Sequence, residues 1–137
     1  MIEGIIETQL KIIPSEDGNV LHGIRSTDKS FVGFEEAYFS FINKDHVKAW
    51  KCHKKMTLNL IVPVGKVKFV FYSSREDLFR VIEIGEKQYS RLTVPPKIWF
   101  GFKGIGKPES IIMSLANMQH DPKEVLRCKK NSIKFNW

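Results

Sequence analysis

The sequence predicts an all-β chain folded as a sandwich or barrel. Three observations carry this reading. Apolar residues recur with a period of two through most of the chain, as they do on a strand whose side chains point alternately to opposite faces. Turn-forming clusters interrupt the pattern roughly every eight to twelve residues. Helical signals occur in one segment alone, near the C-terminal end.

The predicted elements run in order. Ile5–Ile12 and Leu21–Ile24 are strand candidates on either side of the turn signal SEDGN (15–19). After STDKS (26–30) comes EAYFSFI (36–42), aromatic and alternating. TLNLIV (57–62) sets Leu58, Leu60 and Val62 on one face, and VKFVFY (67–72) sets Val67, Phe69 and Phe71 on one face, with PVGK (63–66) as the turn between them. SSRED (73–77) and GEK (85–87) bracket Leu78–Ile84. Tyr89–Val94, the turn PPK (95–97), Ile98–Phe102, the turn GIGKPE (104–109) and Ser110–Ala116 complete the strands. The segment DPKEVLRCKK (121–130) is predicted helical: Asp121 can cap, Pro122 suits a first turn, and Glu124 sits in the favourable N-terminal field.

A length of 137 residues fits a single domain spanning 1–137. The net charge of +7 suits a polyanionic partner such as a phosphorylated small molecule, but the lysines are scattered, with no basic block of the kind nucleic-acid binders carry. No apolar run approaches the ~20 residues of a membrane span, and the N-terminal residues do not read as a signal peptide. Cys52 and Cys128 are too few and too far apart for a disulfide framework, so two free thiols in a cytoplasmic protein are expected. No partner membrane or nucleic acid is expected.

The stretch VKAWKCHKKMTLNLIVPVG (47–65) carries the spacing of a cupin metal motif without its ligands. In that motif two alternate histidines on one strand face a glutamate from the next strand across a barrel. Aligned on Gly65, the second histidine is His53, while Lys51, Leu58 and Asp45 stand where the first histidine, the glutamate and the opening glycine belong. An ammonium and a leucine cannot coordinate a metal, and one imidazole is too few, so no metal is expected. Lys51 and His53 would still share a face. If it is the interior, they form a cationic, proton-transferring pair, with Lys51 as a base of lowered pKa and His53, Tyr38 or Tyr89 as donor. If it is not, the run KAWKCHKK is a solvated rim.

At these residues the chain resembles the dTDP-4-dehydrorhamnose 3,5-epimerase family of cupins and the related dTDP-4-keto-6-deoxyhexose 3,4-ketoisomerases. The resemblance lies in EAYFSFINKDHVKAWKCHKKMTLNLIVPVGKVKFVFY, LTVPPKIWFGFKG and HDPKEV, and covers roughly residues 20–128. It implies a cupin-type jelly-roll barrel, a homodimer formed by strand exchange or sheet extension, no metal or other cofactor, and a nucleotide-linked 4-keto-6-deoxy sugar handled by proton abstraction next to the ketone in surface polysaccharide synthesis.

The family pattern changes at its chemical positions. The segment that ends in the family's basic histidine reads Lys48-Ala49-Trp50-Lys51, the acidic tyrosine's place falls on Ser114, and a lysine of the following strand falls on Leu58. The ketoisomerases' pair of alternate histidines is matched by His53 alone. Lys48 stands for an arginine that meets the nucleotide, keeping the charge and losing the fork. The expected catalytic residues are therefore His53, Lys51 and Tyr38. Lys48, Glu36, Arg75, Trp99, Ser114 and Asn117 are expected to bind substrate. Trp50, Arg25 and Arg91 are weighed for stacking and diphosphate contacts, and His22 and His120 are read as structural or solvent-facing. Two rival readings remain at this stage: a barrel that binds a sugar nucleotide or other small ligand without turnover, and, from charge alone, a nucleic-acid binder.

Overall fold

A computed structural model describes residues 2–106 and 108–137, so Met1, and Lys107 of the turn predicted at 104–109, lie outside the described residues. Among the described residues twelve strands are formed: β1 (Ile6–Gln9), β2 (Ile12–Ile13), β3 (Val20–Leu21), β4 (Glu36–Asn43), β5 (Val47–His53), β6 (Leu58–Val64), β7 (Lys66–Ser73), β8 (Leu78–Gly85), β9 (Ser90–Val94), β10 (Trp99–Gly104), β11 (Glu109–Ala116) and β12 (Val125–Arg127). One sheet has the order β1-β9-β6-β11-β4, the other β12-β5-β10-β7-β8, and β2 and β3 pair as a small ribbon. From β4 onward the chain passes from one sheet to the other at nearly every connection, which is jelly-roll topology.

The alternation seen in the sequence explains why the sheets face each other. Leu58, Leu60 and Val62 of β6 meet Val67, Phe69 and Phe71 of β7 in one buried cluster with Ile84, Leu92, Phe100 and Ile112. Burial of each such side chain is worth about 1.5–3 kcal/mol, enough in sum to fix which face of every strand turns inward.

Three expectations about elements are corrected. The run Ile5–Ile12 divides into β1 and β2, and of Leu21–Ile24 only Leu21 is in a strand. The segment 121–130 is not a helix. Asp121 starts a turn, its carboxylate accepting from Lys123 N at 2.9 Å and its carbonyl from Glu124 N at 3.0 Å. Val125–Arg127 then pairs antiparallel with β5, Val125 opposite His53 and Arg127 opposite Lys51. An Asp-Pro start serves a turn as well as a helix. The open edge of β5 offers this segment a ladder of backbone hydrogen bonds that an isolated helical turn would lack. Helical geometry at this end is confined to a 3₁₀ turn at Lys130–Ser132.

One irregularity shapes the interior. Against β10, Lys51 lies opposite Phe100 and Lys48 opposite Phe102, so Ala49 and Trp50 together face Gly101. This is a β-bulge, and it brings Lys48 to the face that Lys51 and His53 occupy. Trp50 is turned the other way, buried with its ring centroid 5.2 Å from that of Trp137 and its Nε1 donating to Lys130 O at 3.0 Å.

Candidate active site

His53 is the last residue of β5, buried with 7 % exposure. Its Nδ1 donates to Oε1 of Glu124, in the turn before β12. The other oxygen of that carboxylate, Oε2, accepts three backbone N–H groups, from Lys54, Lys55 and Met56, each at 3.1 Å. A carboxylate only accepts, so Nδ1 carries the imidazole proton and Nε2 presents a lone pair. Among the described residues that buried Nε2 has no hydrogen-bond partner.

Charge and burial agree with a neutral imidazole. Burial pushes the His53 pKa down, the Glu124 hydrogen bond and charge push it up, and the Lys51 and Arg127 charges push it down again, leaving it below the ordinary value. Burial alone would raise the Glu124 carboxyl. The His53 N–H and the backbone N–H groups of Lys55 and Met56 outweigh that and hold it below its ordinary range. An ionised Glu124 and a neutral His53 form a base in the resting state, with its orientation fixed from behind.

Beside them a cavity of about 410 Å³ is lined by Ser40 of β4, Lys48 and Lys51 of β5, Phe100 and Phe102 of β10 and Arg127 of β12. β4 and β12 are edge strands of the two sheets. The Lys51 ammonium lies 5.3 Å from the centroid of the Phe100 ring, and the His53 ring packs against the same phenyl at 6.3 Å. Burial first, then the Arg127 and Lys48 charges, bring the Lys51 pKa down to about 8 against the opposing pull of Glu124. Lys48 reaches the rim, where its Nζ donates to Phe41 O at 2.8 Å. Across the barrel, Tyr38 of β4 is paired in register with Ser114 of β11. Burial raises the Tyr38 phenol and the Ser114 hydroxyl beside it pulls the other way, with a net rise, so the phenol is a proton donor at neutral pH.

No protein-family model matches the chain. Among solved structures, the dTDP sugar isomerase of Desulfovibrio desulfuricans G20 superposes with a TM-score of 0.95 at 33% identity, over 99% of this chain and 92% of that one. The chain belongs to the dTDP-sugar isomerase family. A dTDP-4-dehydrorhamnose 3,5-epimerase from Sulfolobus tokodaii has the same fold, with a TM-score of 0.84 at 20% identity over 98% of this chain and 82% of that one. The probable low-salt glycan biosynthesis epimerase Agl13 of Haloferax volcanii is 25% identical over 119 residues, 82% of this chain and 76% of its own length.

The residues singled out in the sequence divide into two groups in this fold. His53, Lys51, Lys48, Tyr38, Glu36 and Ser114 all lie on strand positions that face between the sheets. The others lie elsewhere. Arg75 is exposed in the turn between β7 and β8, on the far side of the second sheet from β5. Trp99 is paired with Cys52 and Tyr72, on the side of β10 opposite Phe100 and Phe102. Asn117 lies just beyond β11, where its Oδ1 accepts from Thr57 N at 2.9 Å. Tyr89 donates to His22 O at 2.7 Å. Arg25 and Arg91 line a separate groove of about 850 Å³ with Lys11 and Lys29, next to β1. Trp99 is singled out for its flat aromatic face, Asn117 as a polar residue inside a strand pattern and Arg75 for its bidentate guanidinium, but strand parity and turn geometry decide where they point.

Sequence reasoning missed two residues of this candidate site, Glu124 and Arg127. Both fall in the segment read as helical. Local sequence carries no strand signal there: Val125-Leu126-Arg127 does not alternate, and three residues are too few to override a helix start signal.

Proposed function

We propose that the chain is an epimerase-like isomerase of nucleotide-linked 4-keto-6-deoxy sugars, serving surface polysaccharide synthesis by proton abstraction next to the ketone. The observation that carries this is the buried His53 imidazole, oriented by Glu124, whose Nε2 has no hydrogen-bond partner among the described residues. Family membership and the names of the neighbours support the substrate class.

The chemistry follows from the placement. Nε2 of His53 takes the proton from the carbon beside the ketone, and the bonding electrons move to the carbonyl oxygen as an enolate. Tyr38, on the opposite sheet, is the donor that returns a proton to the other face of the carbon, which inverts it. Tyr38 recovers its proton from solvent and His53 releases its own. Lys48 and Arg127, at the cavity wall, meet the diphosphate.

The test is solvent deuterium exchange into a dTDP-4-keto-6-deoxy sugar, followed by NMR. Wild type exchanges the proton next to the ketone, and His53→Asn slows exchange by about 10²–10⁴-fold. Tight binding of the sugar nucleotide with no exchange in wild type would replace this proposal by a barrel that binds without turnover. The substitutions at the family's base and acid positions, Lys51 and Ser114, favour that second reading.

The protein works as a homodimer in the cytoplasm. Phe39 and Phe41, 67 % and 53 % exposed on the outer side of edge strand β4, support a covered face, and two free cysteines support a reducing compartment. Analytical ultracentrifugation should give a dimer for wild type and a monomer for the Phe39→Glu, Phe41→Glu double variant. A monomeric wild type removes the dimer.

A further inference from the structure

We propose that Lys51 is a catalytic residue, the cation that binds the carbonyl oxygen as it becomes an enolate. This rests on the proton-abstraction reading of His53. Removing a proton next to a ketone moves a full charge onto oxygen, and a base without a matching donor pays most of that cost.

The inner face offers few groups for the task. Lys48 is engaged at the rim with Phe41 O. Tyr38 stands on the other sheet from His53. Arg127 belongs to β12, at the edge of the second sheet. Lys51 shares a strand and a face with His53, two residues away, which sets their backbones about 6.5–7 Å apart. Their side chains converge on one floor, the Phe100 ring, at 5.3 Å for the ammonium and 6.3 Å for the imidazole. A base and a cation so placed reach adjoining atoms of one substrate: the C–H and the neighbouring C=O.

Among the described residues the Lys51 ammonium faces an aromatic ring rather than a carboxylate in salt-bridge contact. Such a poorly solvated cation interacts more strongly with a developing oxyanion than a hydrated one does. The charged and titratable groups that act on it are Arg127 from β12, Lys48 and His53 from β5 and Glu124 from the turn before β12, while Tyr38 and Glu36 of β4 interact with each other, Tyr38 also with Arg127. With a pKa of about 8 it is mainly charged at neutral pH and loses the charge just above it. The step balances: the C–H bond breaks, the proton goes to Nε2, the electron pair goes to oxygen, and Lys51 donates a hydrogen bond to that oxygen without forming a covalent bond.

The experiment measures deuterium exchange and turnover of a dTDP-4-keto-6-deoxy sugar by the full chain, with Lys51→Met, Lys51→Arg and His53→Asn, each checked for folding by thermal melting. Lys51→Met should lower kcat about 10²–10³-fold with KM changed little. Lys51→Arg should recover part of kcat and move the alkaline fall of activity, expected near pH 8 in wild type, to higher pH. An unchanged kcat with a raised KM makes Lys51 a phosphate anchor and overturns the proposal. Trapping of the sugar on Lys51 by borohydride also overturns it, since the nitrogen would then be a nucleophile. If His53→Asn exchanges like wild type, the underlying proton-abstraction reading fails instead.

Discussion

The Nδ1 of His53 is held by the carboxylate of Glu124, a partner 71 residues further along the chain. The contact joins β5 to the turn that begins β12, and the same carboxylate gathers the three amides that follow His53. One side chain therefore sets the tautomer of the base, its orientation, and the course of the chain leaving the strand.

Glu124→Gln tests this directly. The variant amide can still accept the backbone N–H groups through oxygen, but then presents its NH₂ to Nδ1, which must become an acceptor. The imidazole proton moves to Nε2 and the base loses its inward lone pair. Exchange of the sugar proton should fall about 10²–10⁴-fold, as when a catalytic histidine is forced into the wrong tautomer. Loss of charge-assisted hydrogen bonds should lower stability by about 1–3 kcal/mol in a denaturant titration.

Stability should fall on acidification. His53 and Glu124 both have folded pKa values below their ordinary values of 6.5 and 4.5. A lowered folded pKa means that the unfolded chain binds more protons between the two values, so stability is full above the unfolded pKa and is lost as pH drops through the folded one. The decline should start near pH 6.5 with His53 and steepen below 4.5 with Glu124. Thermal melts from pH 8 to 4 check it, and a flat profile through that range contradicts the arrangement.

Lys51 should cost stability at neutral pH. Its folded pKa of about 8 lies below the ordinary 10.5, so the charged form is disfavoured in the fold and stability rises with pH between those values. Lys51→Met should therefore melt higher than wild type at pH 7, by a gain of about 1–3 kcal/mol, with the gain shrinking by pH 10. A variant that is both more stable and less active marks a residue retained for chemistry.

Gly101→Ala should disturb the site without touching its chemistry. A Cβ at this position would lie 2.5 Å from Ala49 Cβ and 3.1 Å from Ala49 Cα and Lys48 O, inside the bulge. The strands must part, at a cost of about 1–3 kcal/mol, and Lys48 and Lys51 shift from their places on the cavity wall. Lower stability together with a weaker affinity for the sugar nucleotide, measured by calorimetry, is the expected result.

Local pattern is enough to place most of the strands, though not β5 or β12 and not the sheet order. Period-two patterns such as VKFVFY and TLNLIV fix strand faces, because a slip of one residue would expose every phenylalanine and leucine they bury. It also determined that Lys51 and His53 share a face, since that follows from spacing on a strand. The tertiary structure alone decided which way that face turns and what stands behind it. Nothing local in KAWKCHKK distinguishes a solvated rim from a barrel wall, and nothing local in DPKEV tells a helix start from a turn leading to a strand. The open edge of β5 drew in β12, and with it came Glu124 and Arg127. Such a pairing depends on an unsatisfied backbone edge some 70 residues away, which no local window of sequence contains.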